Sequence, residues 1–187
     1  MGLASAVSAS LIRDGAPWAL AIFAAVAIGI VCGLINGWGL VYLGIPSIIM
    51  TLGVNGVVRG LIYVYTGGKW VENVPFAYKA LSQATLGGIT WFYLVTIAIA
   101  IGGSALLRRV SLGRNFYAVG DNVGGAELIG IPVKRTKISA FVLCSLFASV
   151  AGCVYVSRIG FVTPIAGNGY EMKAIAACVL GGISLSG

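Results

Sequence analysis

The chain has 187 residues, of which 59% are apolar and 9% are charged, and its mean hydropathy is +1.00. Soluble domains carry about 25% charged residues, so this composition excludes an ordinary soluble domain, whose apolar surface would aggregate in water. The formal net charge is +7, but the basic residues gather beside long apolar runs, which argues against nucleic-acid binding and for a bundle of transmembrane helices.

The first long apolar run predicts two transmembrane spans. Residues 15–58 carry no formal charge, and one helix crosses a bilayer in about 20 residues. We place the break at residues 36–39, Asn-Gly-Trp-Gly, because they combine turn chemistry with an interfacial tryptophan. The two spans are then expected at about 16–35 and 46–66, and residues 1–12 are expected to end an earlier span.

Charged and apolar stretches alternate through the rest of the chain. Residues 67–83 contain lysines, a glutamate and a proline, which predicts an extramembrane loop near the interface. Uncharged runs then predict spans at about 84–107 and 138–157, with a partial span at 174–187. The expected fold class is all-α, a single polytopic transmembrane bundle that is truncated at both ends.

The basic residues predict the orientation of the bundle in the membrane. The segment 108–137 holds half of the 12 Lys and Arg residues, whereas the segment 67–83 holds far fewer. The positive-inside rule therefore places 108–137 in the cytoplasm. Residues 36–39 then face the cytoplasm as well, and the loops at 67–83 and 158–172 face outward.

Small residues recur at helical spacing within the expected spans. They form one stripe and two pairs: Ala25, Gly29, Gly33 and Gly37; Gly56 with Gly60; and Ala148 with Gly152. Because hydrocarbon provides no hydrophobic force between helices, such positions let backbones approach and gain dispersion contacts. The pattern predicts close helix packing and indicates nothing about a substrate.

The second span carries polar side chains on one helical face, Thr51, Asn55 and Arg59, spaced four residues apart. A charge at the bilayer centre costs about 2.5–3.5 kcal/mol on insertion scales. Arg59 is close enough to the outer end to extend to the interface, so it either snorkels or lines a hydrophilic pathway. Asn55 cannot reach the interface, which favours the pathway for this side chain.

The cytoplasmic segment is amphipathic and punctuated by glycines. Asn122 is expected to cap a short helix over 123–129, which Gly130 and Pro132 end. A solvated connector with basic anchors is one interpretation. A docking helix for a cytoplasmic partner is the other, and we prefer it because long ordered loops are usually functional.

No catalytic constellation is visible. The chain has no His, no GxSxG and no GxxxxGK[ST] phosphate loop, and its five carboxylates are widely separated. The four cysteines lie in apolar runs without a CxxC, so they are expected to pack as small apolar side chains: Cys32, Cys144, Cys153 and Cys178. We expect no metal, no cofactor and no ATPase site in this chain, which is therefore not an enzyme.

Four blocks of sequence carry a family resemblance. Asn36-Gly37, IPSIIMTLGVNGVVRGL (45–61), GRNFYAVGDN (113–122) with Gly-Ile after it, and AIAACVLGGISLSG (174–187) occur in the order found in the permeases of ABC importers for ribose, xylose and related sugars. The chain resembles this family over nearly its whole length. Within the family, TGGKWVENVP (66–75) is most similar to the autoinducer-2 permeases, and rhamnose-type permeases share much of the pattern.

The resemblance implies a multipass permease subunit in the bacterial inner membrane. The expected substrate is a sugar-like molecule, autoinducer-2, with rhamnose, ribose or another monosaccharide as alternatives. The expected partners are a second permease subunit, an ABC ATPase that holds ATP and Mg, a periplasmic sugar-binding protein and membrane lipid. Full members of the family are longer, so the chain is expected to lack spans at both ends.

The resemblance also assigns residues. It adds Asn36 to the candidate substrate pathway of Thr51, Asn55 and Arg59. It implies that the segment 113–131 inserts into the ATPase, with these candidate coupling residues: Gly113, Arg114, Tyr117, Gly120, Asn122, Ala126 and Gly130. Two other classes stay open, namely a channel or passive carrier, which needs no ATPase, and a membrane-embedded enzyme, which the missing acid–base residues disfavour.

Overall fold

A computed structural model describes residues 1–83, 85–86 and 89–182. The expected all-α bundle is confirmed, with one pair of two-residue strands beside the helices in the described ranges. The helices are α1 (Gly2–Arg13), α2 (Trp18–Tyr42), α3 (Ser47–Thr66), α4 (Phe76–Gln83), α5 (Trp91–Arg109), α6 (Ser111–Asp121), α7 (Val123–Leu128), α8 (Val133–Ile159) and α9 (Tyr170–Leu180). The strands are β1 (Thr85–Leu86) and β2 (Ile89–Thr90), which pair antiparallel.

Four of the described helices are long and apolar enough to cross a membrane: α2, α3, α5 and α8. α3 begins one residue after Pro46, the first residue of the predicted span, and it ends at Gly67, which adopts the left-handed backbone conformation of a helix C-cap. α5 begins at Trp91, after the strand pair, rather than at 84, and it continues to Arg109. The basic residues of its last turn interact favourably with the helix dipole.

α2 does not break at residues 36–39, which corrects the predicted turn. The helix continues to Tyr42, and the connection to α3 is made by residues 43–46, where Gly44 has φ of 66°. Gly37 and Gly39 serve close packing instead. A Cβ at Gly37 would lie 2.9 Å from the Cα of Ile138.

The long helices α2 and α8 form the centre of the bundle. The small-residue stripe of α2 packs closely against another helix, as predicted, and that helix is α8: a Cβ at Gly33 would lie 2.6 Å from the Cα of Val142. Gly152 of α8 contacts α1 in the same way. The pair Gly56 and Gly60 differs from the prediction, because a Cβ at either position meets no atom of the described chain within 4 Å.

α1 is a buried helix that packs against α2, α3 and α8. Its serines at positions 5, 8 and 10 are buried, and each hydroxyl donates to a backbone carbonyl three residues earlier in the same chain. These bonds satisfy the hydroxyl donors within the helix, and Ser10 Oγ is also hydrogen-bonded to the hydroxyl of Tyr65 on α3. α1 can therefore fill the space between the three longer helices.

α4 packs against the second half of α8, at the end of the bundle opposite to the predicted cytoplasmic segment. The hydroxyl of Tyr78 donates to the carbonyl of Cys153 (3.2 Å), and the hydroxyl of Ser157 donates to the carbonyl of Tyr78 (2.9 Å). Burial raises the pKa of Tyr78 to about 12. Val71 and Val162 form a β-bridge next to this contact, so residues 67–83 are anchored to the bundle.

The last described helix begins earlier than the partial span that the sequence predicted. α9 covers Tyr170–Leu180, against the expected start at 174, and Glu171 lies in its first turn. A carboxylate in this position is stabilised by the helix dipole. Residues 183–187, the end of the expected span, lie outside the described residues.

Candidate functional site

A cavity of about 170 Å³ lies between α1, α2, α3 and α8, and three of the four predicted pathway residues line it. Asn36 comes from α2, and Thr51 and Asn55 come from α3. Its polar lining side chains are Cys32, Asn36, Thr51, Asn55, Ser145 and Ser149. The structure thus brings Asn36, Thr51 and Asn55 together, and their role in transport stays a prediction.

Asn36 is the most constrained polar group of this cavity. Its side chain is only 9% exposed, and its Oδ1 has no hydrogen-bond partner within the part of the chain that the structure describes. A buried carbonyl oxygen without a donor costs about 1–3 kcal/mol relative to one that is satisfied. An acceptor of this kind is explained when a ligand or water supplies the missing donor.

Two of the three hydroxyls that line the cavity, those of Thr51 and Ser149, donate their hydrogens to the backbone. Thr51 Oγ1 donates to the carbonyls of Ser47 (2.8 Å) and Ile48 (3.1 Å). Ser149 Oγ donates to the carbonyls of Ser145 (3.0 Å) and Leu146 (2.9 Å). Each hydroxyl has one hydrogen, so what both oxygens can still offer a ligand is lone pairs.

Ser145 and Ser149 were missed by the sequence analysis. They are spaced four residues apart within residues 140–156 of α8, which are otherwise apolar, and this is the same signal that singled out Thr51 and Asn55 on α3. Serine is small and often bonds its own helix, which makes this signal weak. The structure assigns both residues to the cavity because α8 crosses α2 at Gly29 and Gly33.

Arg59 does not line this cavity. Its guanidinium donates to the carboxylate of Glu171 in the first turn of α9, and the two side chains are 42% and 37% exposed. The sequence analysis offered two interpretations of Arg59, namely extension to the interface or lining of the pathway. The structure instead pairs Arg59 with Glu171, outside the lining of this cavity. Glu171 was not predicted as a partner, because nothing in the sequence indicates that α9 approaches α3.

A second cavity, of about 480 Å³, lies between α5 and α8 and has a mainly apolar lining. Phe92 and Ile99 contribute from α5, and Phe147 and Val154 contribute from α8. The guanidinium of Arg158 lies over the ring of Phe92, 4.8 Å from its centroid. Such a surface suits apolar occupants, and it offers few groups that could orient a polar substrate.

The predicted cytoplasmic segment forms two helices, α6 and α7, that return the chain to α8. Asn122 caps α7 as predicted, because its Oδ1 accepts from the backbone N–H of Gly125 (2.9 Å). The helix ends at Leu128, and Gly130 follows with φ of 82°. The two helices form a hairpin whose inner face packs Val119, Ala126 and Val133 together.

The candidate coupling residues divide into two groups. Gly113 and Ala126 are buried; a Cβ at Gly113 would lie 2.2 Å from the Leu107 carbonyl oxygen, so Gly113 permits the tight turn from α5 into α6. Arg114 donates to the carbonyl of Arg109 (3.2 Å). Tyr117, Gly120 and Gly130 are exposed and available to a partner.

Two exposed apolar side chains at the C-terminal end of α7 were not among the predicted coupling residues. Leu128 is 91% exposed and Ile129 is 74% exposed. Ala126 marks the buried face of α7. Leu128 and Ile129, at the end of this short helix, lie off that face and are therefore exposed. The run Leu-Ile-Gly-Ile in the predicted cytoplasmic segment was the signal that could have identified them. We use the name hairpin tip for three exposed side chains of α6 and the end of α7, namely Tyr117, Leu128 and Ile129.

No group of three His, Cys, Asp or Glu side chains within the described ranges could hold a metal ion. The cysteine thiols are free there, and Cys153 is buried in a cluster with Ala4 and Ala25. This arrangement agrees with the expected role of Cys153 as a small apolar side chain. What the described site can do chemically is to form hydrogen bonds in a cavity and to present apolar surface on the hairpin.

Comparison with known proteins finds one matching family and several similar relatives. Residues 1–187 match the family described as branched-chain amino acid transport system / permease component. The chain is 47% identical over 161 residues to the autoinducer 2 import system permease protein LsrC of Klebsiella pneumoniae, covering 86% of this chain and 47% of that protein. It is 42% identical over 187 residues to the protein of the same name in Enterobacter sp. strain 638, covering 100% of this chain and 54% of that protein.

A similar relative occurs in Salmonella typhimurium, with 42% identity over 186 residues. This match covers 100% of the chain and 54% of the relative. The chain therefore spans about half the length of the curated relatives it matches. No solved structure matches the chain.

Proposed function

The chain belongs to the family of permease components described for branched-chain amino acid transport systems, and on this premise we propose that it forms part of the membrane subunit of an ATP-driven importer. The subunit carries a sugar-like small molecule, autoinducer-2, across the bacterial inner membrane. The curated relatives, which are named as autoinducer 2 import permeases, support this substrate. Rhamnose or ribose would use the same hydrogen-bonding chemistry.

The observation that carries the proposal is the cavity at Asn36. Helices that only anchor a protein in lipid have no use for a buried, unpaired amide oxygen at the junction of four helices. A subunit that passes a hydroxyl-bearing molecule between helices does need such groups. The cavity lies where α2, α3 and α8 meet, so movement of these helices would open or close it.

We propose that the hairpin tip docks on an ABC ATPase, which binds ATP and Mg. Aromatic and large apolar side chains are the residue types that dominate protein interfaces, and Tyr117, Leu128 and Ile129 are exposed. The basic residues around the hairpin support a cytoplasmic location for it. A second permease subunit and a periplasmic binding protein would complete the importer.

α8 offers a path from the ATPase to the cavity. Val133, at its start, packs against Ala126 of the hairpin, and Ser145 and Ser149 line the cavity further along the same helix. Cys153 then contacts Tyr78 at the other end of the bundle. Because α8 is one continuous helix from Val133 to Ile159, displacement of the hairpin would move the cavity wall.

The experiment that tests this function uses the full-length protein in proteoliposomes with its ATPase, the second permease subunit and the periplasmic binding protein. Autoinducer-2, rhamnose and ribose are each offered, and the internal concentration is followed with and without ATP. The proposal predicts ATP-dependent accumulation above the external concentration for one of them. Equilibration that is independent of ATP would identify a channel or passive carrier instead.

A further inference from the structure

The cavity of about 480 Å³ lies between two contacts that join α5 to α8. Towards the hairpin, a Cβ at Gly103 would lie 3.8 Å from Cζ of Phe147. At the other end, the guanidinium of Arg158 lies over the ring of Phe92. The two contacts are eleven residues apart on each helix, about 16 Å at about 1.5 Å per residue. This distance is close to half of the roughly 30 Å hydrocarbon core of a bilayer, so the cavity spans about one leaflet.

The lining of this cavity is hydrocarbon along most of its length. It consists mainly of aromatic and branched aliphatic side chains: Phe92, Ile99, Phe147, Val150, Val154 and Ile159. The hydroxyl of Thr96, which also lines it, donates to the carbonyl of Phe92 (2.9 Å). Water needs several polar partners to stay in a cavity, and this lining offers few of them. The occupant that the lining suits is therefore hydrocarbon.

The shape of the cavity selects among hydrocarbon occupants. A helix with its side chains is about 10 Å across, so inserting one would separate Phe92 from Arg158 and Gly103 from Phe147. An acyl chain is one carbon atom thick and can lie between the two contacts. The volume equals that of about 16 water molecules at about 30 Å³ each, and a methylene group is close to water in size. One long acyl chain therefore fills the cavity and restores the dispersion contacts that its walls would otherwise lack.

Basic groups lie at the end of the cavity that is farther from the hairpin. Arg158 is exposed there, and Lys173 lies 5.0 Å from the ring centroid of Tyr170, which lines the same cavity. Within the described residues, neither Arg158 nor Lys173 forms an ion pair, and no carboxylate lines the cavity, whereas the amino group of Met1 does. Contact with a ring does not use the N–H donors of a guanidinium, which match a phosphate group bidentately. Trp91 is exposed at the same end, as is typical of the membrane interface.

We propose that α5 and α8 form a binding site for one anionic phospholipid. One acyl chain fills the cavity between the two helices, and Arg158 and Lys173 bind the phosphate of the headgroup. Ile99 and Phe147 are exposed at the open side of the cavity, so the chain enters from the surrounding bilayer. This site goes beyond the proposed transport function, because it depends neither on the substrate nor on the ATPase.

Photochemical labelling in vesicles tests where the chain lies. The full-length protein is reconstituted in phosphatidylcholine with a small fraction of phosphatidylglycerol that carries a diazirine near the end of one acyl chain. Irradiation and mass spectrometry of the digested protein are expected to locate the label at Ile99 and Phe147. Ala151→Phe puts a ring into the cavity and should abolish this labelling. Ala98→Phe adds the same ring at an exposed position of α5 outside the lining and should leave it unchanged.

Competition in the same vesicles tests the headgroup. The measured quantity is the fraction of unlabelled phosphatidylglycerol that halves the labelling of Phe147. Arg158→Gln should raise this fraction about fivefold, because a basic side chain that attracts the anionic headgroup is lost, and Lys173→Gln should act in the same direction. Lys69→Gln removes an exposed cation outside the lining and should leave the fraction unchanged. Glycerol 3-phosphate, which has the phosphate without a chain, should not compete.

Wild-type protein without label at Ile99 and Phe147 would overturn the proposal and would mean that another part of the full-length chain, or the second permease subunit, covers this cavity. Undiminished labelling in Ala151→Phe would place the lipid elsewhere, and Val150→Phe decides the matter if thermal unfolding shows that Ala151→Phe is not folded. Unchanged competition in both Arg158→Gln and Lys173→Gln would contradict the anionic headgroup. Displacement by glycerol 3-phosphate would identify a site for a soluble anion instead.

Discussion

Arg59 on α3 is paired with Glu171 on α9, although the two residues are 112 positions apart in the chain. The pair connects the first turn of α9 to the helix face that also carries Asn55 and Thr51. The paired guanidinium is not part of the lining of the cavity at Asn36. Arg59 lies one helical turn from Asn55, and without Glu171 its guanidinium would be an unpaired cation there.

The Arg59–Glu171 pair is expected to contribute modestly to stability. Both side chains are partly exposed, so we expect a coupling free energy of about 0.5–1 kcal/mol. A double-mutant cycle with Arg59→Gln and Glu171→Gln measures this coupling through thermal or denaturant unfolding in detergent. Additive effects of the two substitutions would contradict a coupling of this size.

The close crossing of α2 and α8 is expected to tolerate no side chain at Gly33. Gly33→Leu places its Cβ against the backbone of Val142, and overpacking of this kind costs about 1–3 kcal/mol or more. Membrane abundance and the unfolding temperature of the full-length protein should both fall. Gly56→Leu is the matched control, because its Cβ meets no atom of the described residues within 4 Å, and it should change stability by about 0.5 kcal/mol or less.

Tyr78 predicts an alkaline loss of stability. Its pKa is raised from 10.0 to about 12 by burial, so the protonated hydroxyl stabilises the fold fully below pH 10, and this contribution is lost as pH rises toward 12. Tyr78→Phe removes the hydrogen bond to Cys153 and should cost about 1 kcal/mol at neutral pH. It should also flatten the decline of the unfolding temperature between pH 10 and 12. An unchanged slope in the variant would contradict the buried, neutral hydroxyl.

The hairpin tip is expected to hold the ATPase. Leu128→Asp puts a charge on the most exposed apolar side chain of the tip and should weaken co-purification of the ATPase by about 2 kcal/mol, roughly 30-fold in Kd. Glu127→Gln, a neighbouring exposed residue, is the control and should leave binding unchanged. Retention of the ATPase by Leu128→Asp would place the docking surface elsewhere.

A substitution at Ala126 would test the folding of the hairpin rather than its contact with the ATPase. A large residue there is expected to disrupt the hairpin itself, because Ala126 is packed between Val119 and Val133. Loss of the ATPase in such a variant would therefore not identify a contact. Leu128→Asp leaves this packed face intact and separates docking from folding.

The sequence was sufficient to predict the long helices, because charge-free runs and helix-ending glycines leave few alternatives. It could not distinguish the two uses of glycine. Gly37 suggested a turn beside Asn36, yet it lies within α2 and allows Ile138 to approach. Glycine is favoured both where a chain turns and where two helices touch, and only the neighbouring helix decides between them.

The candidate site was predictable only in part. Asn55 was recognised because a polar amide deep in a span requires a reason, and it does line a cavity with Asn36. The partner of Arg59 was not recognisable, since tertiary packing alone brings Glu171 to it. Ser149 was overlooked because serine bonds its own helix and leaves no pattern that identifies its neighbours.

Uptake by the full-length protein carrying Asn55→Leu tests the proposed pathway most directly. The variant and the control Asn168→Leu are expressed with the ATPase and the binding protein, and accumulation of autoinducer-2 is measured at equal membrane abundance. The pathway predicts that Asn55→Leu lowers accumulation about tenfold, because a wall hydrogen bond is lost, while Asn168→Leu accumulates normally. Normal accumulation by Asn55→Leu at normal abundance would contradict passage of the substrate through this cavity.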